Sequence, residues 1–174
     1  DVFVVDEATR QTLHRLWLTL LIDAYSRSVL GMALLNEPPS SESILTALQH
    51  AIWPKTSHTA LGFTEPWVCY GIPAQLFLDN AWAHLAGSLE NLARVIGHQG
   101  RYTTIDLDFR PPYKGRYGGL IERLFGNLAG QVKQFLTGAI QSSQPRHIQN
   151  AARQACLVYQ DIYRFCQRAI VTYQ

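Results

Sequence analysis

Leu16-Trp17-Leu18-Thr19-Leu20-Leu21-Ile22-Asp23-Ala24-Tyr25-Ser26-Arg27-Ser28-Val29-Leu30-Gly31-Met32-Ala33-Leu34-Leu35 is the stretch that decides the fold. Two continuous apolar runs, Leu16 to Ile22 and Val29 to Leu35, flank a short polar link. Runs without polar alternation read as strands buried on both faces, and so short a link joins them as an antiparallel hairpin. Upstream, Val2-Phe3-Val4-Val5 is a similar β-branched and aromatic run, ending at Asp6. Downstream, Asn36 to Ser41 stops the second run and starts a helix, with Ser41 as cap and Ile44, Leu45, Leu48 and Ile52 on one face. The order is therefore β-β-β-α.

Residues 53 to 73 contain Pro54, Gly62, Pro66, Gly71 and Pro73 and read as a connection. Ala74 to Leu78 is the next strand, ending in Asp79-Asn80, and Leu85, Leu89, Leu92, Ala93 and Ile96 mark a helix stopped by Gly97. Arg101 to Thr104 reads as a short strand, and Asp106 to Gly119 as a basic loop rich in Pro and Gly. Asp106 and Asp108 alternate, so they share a face. A long helix follows from about Leu120 with Gly138 near its end, and a final helix is expected from Pro145 to Ile170.

The chain has 174 residues, 47% hydrophobic and 16% charged, which suits one α/β domain with a core of ordinary size. The net charge of +2 hides an asymmetry: residues 1–93 sum to −5 and residues 94–174 to +7. Such a split fits either helix surfaces of uneven charge or a carboxylate site beside a surface that meets phosphates. Cys69, Cys156 and Cys166 lack metal or disulfide spacing and read as small hydrophobes. No apolar run is long enough for a membrane span, so a soluble, cytoplasmic protein is expected. The start at Asp1 suggests a domain excised from a longer protein.

Three acids stand out by position. Asp6 and Asp79 each end a buried strand, and Glu122 falls in the first turn expected of the long helix. In open α/β sheets sites gather beyond the carboxyl ends of strands. Three converging carboxylates repel unless cations neutralise them, and hard oxygen ligands suit Mg²⁺ or Mn²⁺. Two such ions can activate a water or hydroxyl and stabilise the leaving oxygen of an in-line displacement at phosphorus. Asp23 also ends a strand and is the rival ligand; His84 is near Asp79, with a surface position the simpler reading.

Local contexts sharpen this reading. Val4-Val5-Asp6-Glu7-Ala8-Thr9, Ile22 to Gly31 with its Asp-x-x-Ser-Arg turn, Gly71-Ile72-Pro73 through Asp79-Asn80, and Gly118 to Leu128 with Gly-x-x-Glu-Arg occur in order. Over residues 1–138 they resemble the DDE transposase and retroviral-integrase core, closest in style to bacterial Mu and Tn7-type transposases. The resemblance implies an RNase H-like fold: a mixed central sheet, three antiparallel strands then further strands, flanked by helices. It implies one integrase-like catalytic core over 1–174, with a motif-bearing part to 138 and a helical segment over 145–170. It implies Mg²⁺-dependent cutting and joining of DNA ends, with Asp6, Asp79 and Glu122 as catalytic metal ligands. It makes Asp23 part of a structural turn, and it makes self-association and an accessory ATPase plausible partners. A hydrolytic nuclease of the same fold and a metal-free assembly module are the alternatives.

The chain also departs from that pattern. Asp79 and Glu122 are 43 positions apart, Ala81 and Trp82 follow Asp79-Asn80, and Gly126 and Ala129 stand where the retroviral branch has lysines. Contacts to DNA are therefore expected from Arg110, Lys114, Arg116 and Arg123, around Pro111-Pro112-Tyr113 and Gly118-Gly119. Arg123 can alternatively orient a carboxylate, as Asn80 can for Asp79.

Overall fold

The computed structural model describes residues 2–55, 66–78, 87, 90–91, 105–109 and 118–173. The deciding stretch forms the expected hairpin: β3 (Trp17–Ile22) pairs antiparallel with β4 (Val29–Leu35), from Trp17 opposite Leu35 to Ile22 opposite Val29. It is preceded by a second hairpin, in which β1 (Phe3–Val5) pairs with β2 (Thr12–Arg15), Phe3 opposite Arg15. The sequence reading has no β2. Its four residues are all exposed, so no burial pattern marks them, and they are a strand only because β1 lies alongside.

The hairpin β3–β4 is apolar on both faces because both are covered. Leu20, Met32 and Leu34 join a core with Leu124, Leu128, Ile162 and Ile170, from α2 (Gly118–Phe135) and α4 (Tyr159–Tyr173). On the other face α1 (Ser41–Ile52) packs so closely that a Cβ on Gly31 would land on Ala47 O and Ala51. The cap of α1 is Ser40, one residue earlier than expected, where the Ser43 hydroxyl accepts from Ser40 N–H at 3.1 Å. Beyond α1, Ile44 and Leu48 meet Leu76, Leu78 and Ile105 in a second core, under β5 (Gln75–Leu78) and β6 (Asp106–Phe109). Those strands are parallel, Leu78 opposite Phe109. Asp106 and Asp108 are exposed on one face as expected, in a strand rather than a loop. Gly87, Glu90 and Asn91 are helical. The strand expected over 101–104 lies outside the described residues.

The sequence reading has one final helix; the structure has two, α3 (Pro145–Gln154) and α4, separated by 155–158. The break has a use. Leu157 C=O accepts from Val5 N–H at 2.9 Å, and Gly138 C=O accepts from Phe3 N–H at 3.1 Å, so these two segments close the outer edge of β1. Gly138 turns there with φ of 81°, against Ala155 and Phe3 O. Asp161 then restarts the helix by accepting from Val158 N–H at 3.1 Å. Cys156 falls in the break and is exposed, against expectation; Cys69 is half-buried and Cys166 buried, its thiol pushed up to about 12. Among the described residues the strands pair as three two-stranded sheets, and no helix is long and apolar enough to cross a membrane.

Candidate functional site

Asp6 follows β1 and closes the first hairpin. Its Oδ1 accepts from Thr9 N–H at 2.6 Å, the Thr9 hydroxyl at 2.8 Å and Ala8 N–H at 3.1 Å. Hydrogen bonds to the ionised form favour it, so Thr9, through its N–H and then its hydroxyl, holds this carboxyl below the usual range. The turn faces the end of α3: Arg10 donates to Cys156 O at 3.1 Å and Thr12 to Ala152 O at 3.1 Å.

Asp23 closes the second hairpin in the same manner. Its Oδ2 accepts from Ser26 N–H at 2.7 Å, and Ser26, through its hydroxyl and then its N–H, keeps the carboxyl low. This agrees with the structural role expected of the Asp-x-x-Ser-Arg turn. At the tip, Tyr25 is 96% exposed, an aromatic that burial does not account for and that sequence reading passed over as part of the turn. Its signal was available: an aromatic at a turn position where small or polar residues prevail.

Glu122 is the fifth residue of α2, because the helix starts at Gly118 and not near Leu120; it lies just past the first turn and is exposed. Its neighbour Ile121 borders a groove of about 520 Å³ between the end of β3 and β5. Leu20 to Ala24 form one wall of that groove and Tyr70 to Phe77 the other. Asp79 directly follows β5 in sequence. Asp79, Asn80, Arg110, Lys114 and Arg116 lie outside the described residues, as does His84; Arg123 is exposed on α2.

Of the predicted carboxylates, only Glu122 adjoins a described lining residue of this groove. Asp23 lines it, whereas Asp6 belongs to the turn packed toward α3. Among the described residues no three His, Cys, Asp or Glu side chains gather as a metal cluster.

Sequence reasoning missed one buried polar cluster, which holds the 66–70 segment onto the hairpin. Lys55, 9% exposed, donates from Nζ to the carbonyls of Leu30, Ala51 and Cys69, 5.5 Å from the Trp67 ring centroid. Burial pushes this ammonium down to about 8. His50 Nδ1 accepts from Met32 N–H at 3.3 Å, and burial first, then Lys55, pushes the imidazole down to about 4, so it is neutral at pH 7. Nothing in local periodicity marks these partners, which are main-chain groups and, Ala51 apart, distant in sequence.

Residues 1–138 match the model of the TnsB C-terminal domain. The chain is also similar to the transposase for transposon Tn552 of Staphylococcus aureus, 25% identical over 143 residues, covering 82% of this chain and 26% of that protein. It is similar to the transposon Tn7 transposition protein TnsB of Escherichia coli, 26% identical over 153 residues, 83% of this chain and 20% of that protein. The chain thus spans about a quarter or less of the length of these relatives. With the matched region covering most of its residues, the chain belongs to the TnsB C-terminal domain family.

Proposed function

We propose that this domain is the catalytic core of a DNA transposase, with an RNase H-like fold, that cuts element ends and joins the freed 3′-hydroxyl to target DNA. The observation that carries the reading is the family match over 1–138, which takes in Asp6, Asp79 and Glu122 in the order expected of a metal-binding triad. The names of both relatives, a transposase and a transposition protein, support the same process.

Carboxylate oxygens are the donors a hard divalent cation takes, although the described residues do not bring Asp6 and Glu122 to one groove. Glu122 offers an exposed carboxylate, and Asp6 keeps Oδ2 outside its turn. When bound, Mg²⁺ would activate the attacking oxygen and stabilise the leaving one. The residues of the chain divide the remaining work. Asp79 and Glu122, with Asp6, would hold the cation; Arg110, Lys114, Arg116 and Arg123 would hold phosphates; Asn80 would orient Asp79. In the full-length protein, Asp79→Asn and Glu122→Gln are each expected to lower strand transfer on the order of 10³-fold or more while leaving end binding within a few-fold. A substrate with a ready 3′-hydroxyl and a target duplex separates joining from hydrolysis alone. Joining retained by either variant would remove that residue from the site, and cutting without joining would make the domain a nuclease.

A further inference from the structure

The two outer edges of the β3–β4 hairpin are finished differently. On β4, side chains take three of the six outward main-chain groups of residues 30, 32 and 34: Met32 N–H donates to His50, Leu30 C=O accepts from Lys55, and Leu34 C=O accepts from the Tyr159 hydroxyl at 2.9 Å. These bonds also fix which residues face which way. Residues 30, 32 and 34 point outward, so Gly31, Ala33 and Leu35 exchange bonds with Leu21, Thr19 and Trp17. The N–H and C=O of Leu18 and Leu20 therefore point away from β4, and no partner meets them among the described residues. Leu20 is only 8% exposed. A buried main-chain group left unpaired costs roughly 1–3 kcal/mol, and native structures pair nearly all of them.

The space beside this edge has the shape of a strand. At the start of β3 lies a cavity of about 250 Å³ bordered by Val2, Leu18, Phe125 and Leu128; at its end lies the 520 Å³ groove. Tyr70, Ile72, Phe77 and Ile121 line the second yet are 40% to 54% exposed. No charged residue occurs from Leu16 to Ile22, so the edge lacks the charges that ordinarily keep an open strand from pairing.

We propose that this trough is a strand-accepting slot, and that its occupant is an extended stretch of the same polypeptide leading into β1. Direction and register argue for that occupant. Leu16 N–H already donates to Val2 O at 3.3 Å, on the side to which Leu18 and Leu20 point. Carried backward past Val2 at the register of Phe3 with Arg15, the line of β1 runs antiparallel along β3 from Trp17 toward Ile22. About five residues at ~3.3 Å each cover it, with alternate side chains apolar to fill the two cavities. The relatives are much longer than the stretch they share with this chain. The proposal is independent of the reaction proposed above.

Amide hydrogen exchange at Leu18 and Leu20 tests it, measured in the 174-residue chain and in the full-length polypeptide. In the 174-residue chain both amides are expected to exchange about 100-fold or more faster than Thr19 and Leu21, and to slow by a similar factor in the longer protein. Protection already present in the 174-residue chain overturns the proposal; if it grows with concentration, a second copy is the occupant, and otherwise a segment within the chain is. Rapid exchange in the longer protein also overturns it. Should the 174-residue chain fail to hold its fold, the full-length protein decides alone: Leu18 and Leu20 must be as protected as Thr19 and Leu21.

Discussion

The turns Asp6-Glu7-Ala8-Thr9-Arg10-Gln11 and Asp23-Ala24-Tyr25-Ser26-Arg27-Ser28 share one construction. In each, the aspartate side chain accepts from the residue three positions on. The arginine N–H donates to the aspartate C=O at 2.9 Å, and the aspartate N–H donates to the carbonyl five positions on, again at 2.9 Å. Both arginines are left-handed, with φ of 58° and 65°. The turns differ in what surrounds them. Asp23 borders the groove near Glu122, whereas Asp6 belongs to a turn held against the end of α3. Hairpin closure alone thus accounts for an aspartate at a strand end, and a catalytic role for either one needs a test that spares the turn.

Asparagine provides that test, because it keeps the accepting Oδ1 and loses the charge. With Asp6 in the triad, Asp6→Asn is expected to lower strand transfer on the order of 10³-fold or more in the full-length protein, against less than about 3-fold for Asp23→Asn, with both variants melting near the parent. The reverse pattern would move the ligand role to the aspartate that lines the groove.

Removing the acceptor altogether gives a smaller effect, read as stability. Asp23→Ala frees Ser26 N–H and is expected to cost about 1 kcal/mol, a melting shift of roughly 2–4 °C for a chain of this size. Asp6→Ala frees three donors and should shift melting further. Equal shifts would mean that the Ala8 bond adds nothing.

The arginines divide the turns next. Glycine adopts the left-handed region without the penalty of a Cβ, at the expense of unfolded-state entropy. Arg27→Gly is expected to raise stability by up to about 1 kcal/mol in chemical denaturation. Arg10→Gly gains the same relief and loses the bond to Cys156 O, so it should end less stable than Arg27→Gly.

These turns also show where the sequence was legible. The apolar runs that became β1, β3 and β4 carried their own evidence, since burial on both faces requires uninterrupted hydrophobes. The Asp-x-x-Ser-Arg signature predicted its turn, and the same logic applied to Asp6-Glu7-Ala8-Thr9-Arg10 would have found β2, which has no apolar pattern of its own. The break between α3 and α4 was hidden for another reason: its cause is Val5, more than a hundred residues away, which needs the Leu157 carbonyl. Lys55 and His50 were illegible likewise, because their partners are main-chain groups, those of Leu30 and Met32 on β4, Ala51 on α1 and Cys69, and every sequence possesses such groups. Of the candidate site, the strand ends before Asp6 and Asp79 were readable, whereas the helix starts two residues earlier than expected and leaves Glu122 past its first turn; which carboxylate faces the groove is a matter of tertiary packing.

Acid titration should produce the smallest difference between the turns, and its sign is determined. Both aspartates are held below the ordinary carboxyl value of 3.8 by hydrogen bonds that favour the ionised form. Their stabilisation is therefore complete above about pH 4 and is lost as pH falls through the lower native values. His50 acts earlier: its pKa falls from 6.5 to about 4 on folding, so its contribution is complete above pH 6.5 and declines toward pH 4. Melting temperature against pH should accordingly fall in two stages. His50→Asn, which keeps an acceptor for Met32 N–H, should flatten the upper stage alone. Asp6→Asn and Asp23→Asn should each flatten part of the lower one, modestly, because solvent screens both carboxylates. A lower stage that responds only to Asp23→Asn would show that the exposed Asp6 turn does not couple to folding, and the likeness between the two turns would then be geometric without being energetic.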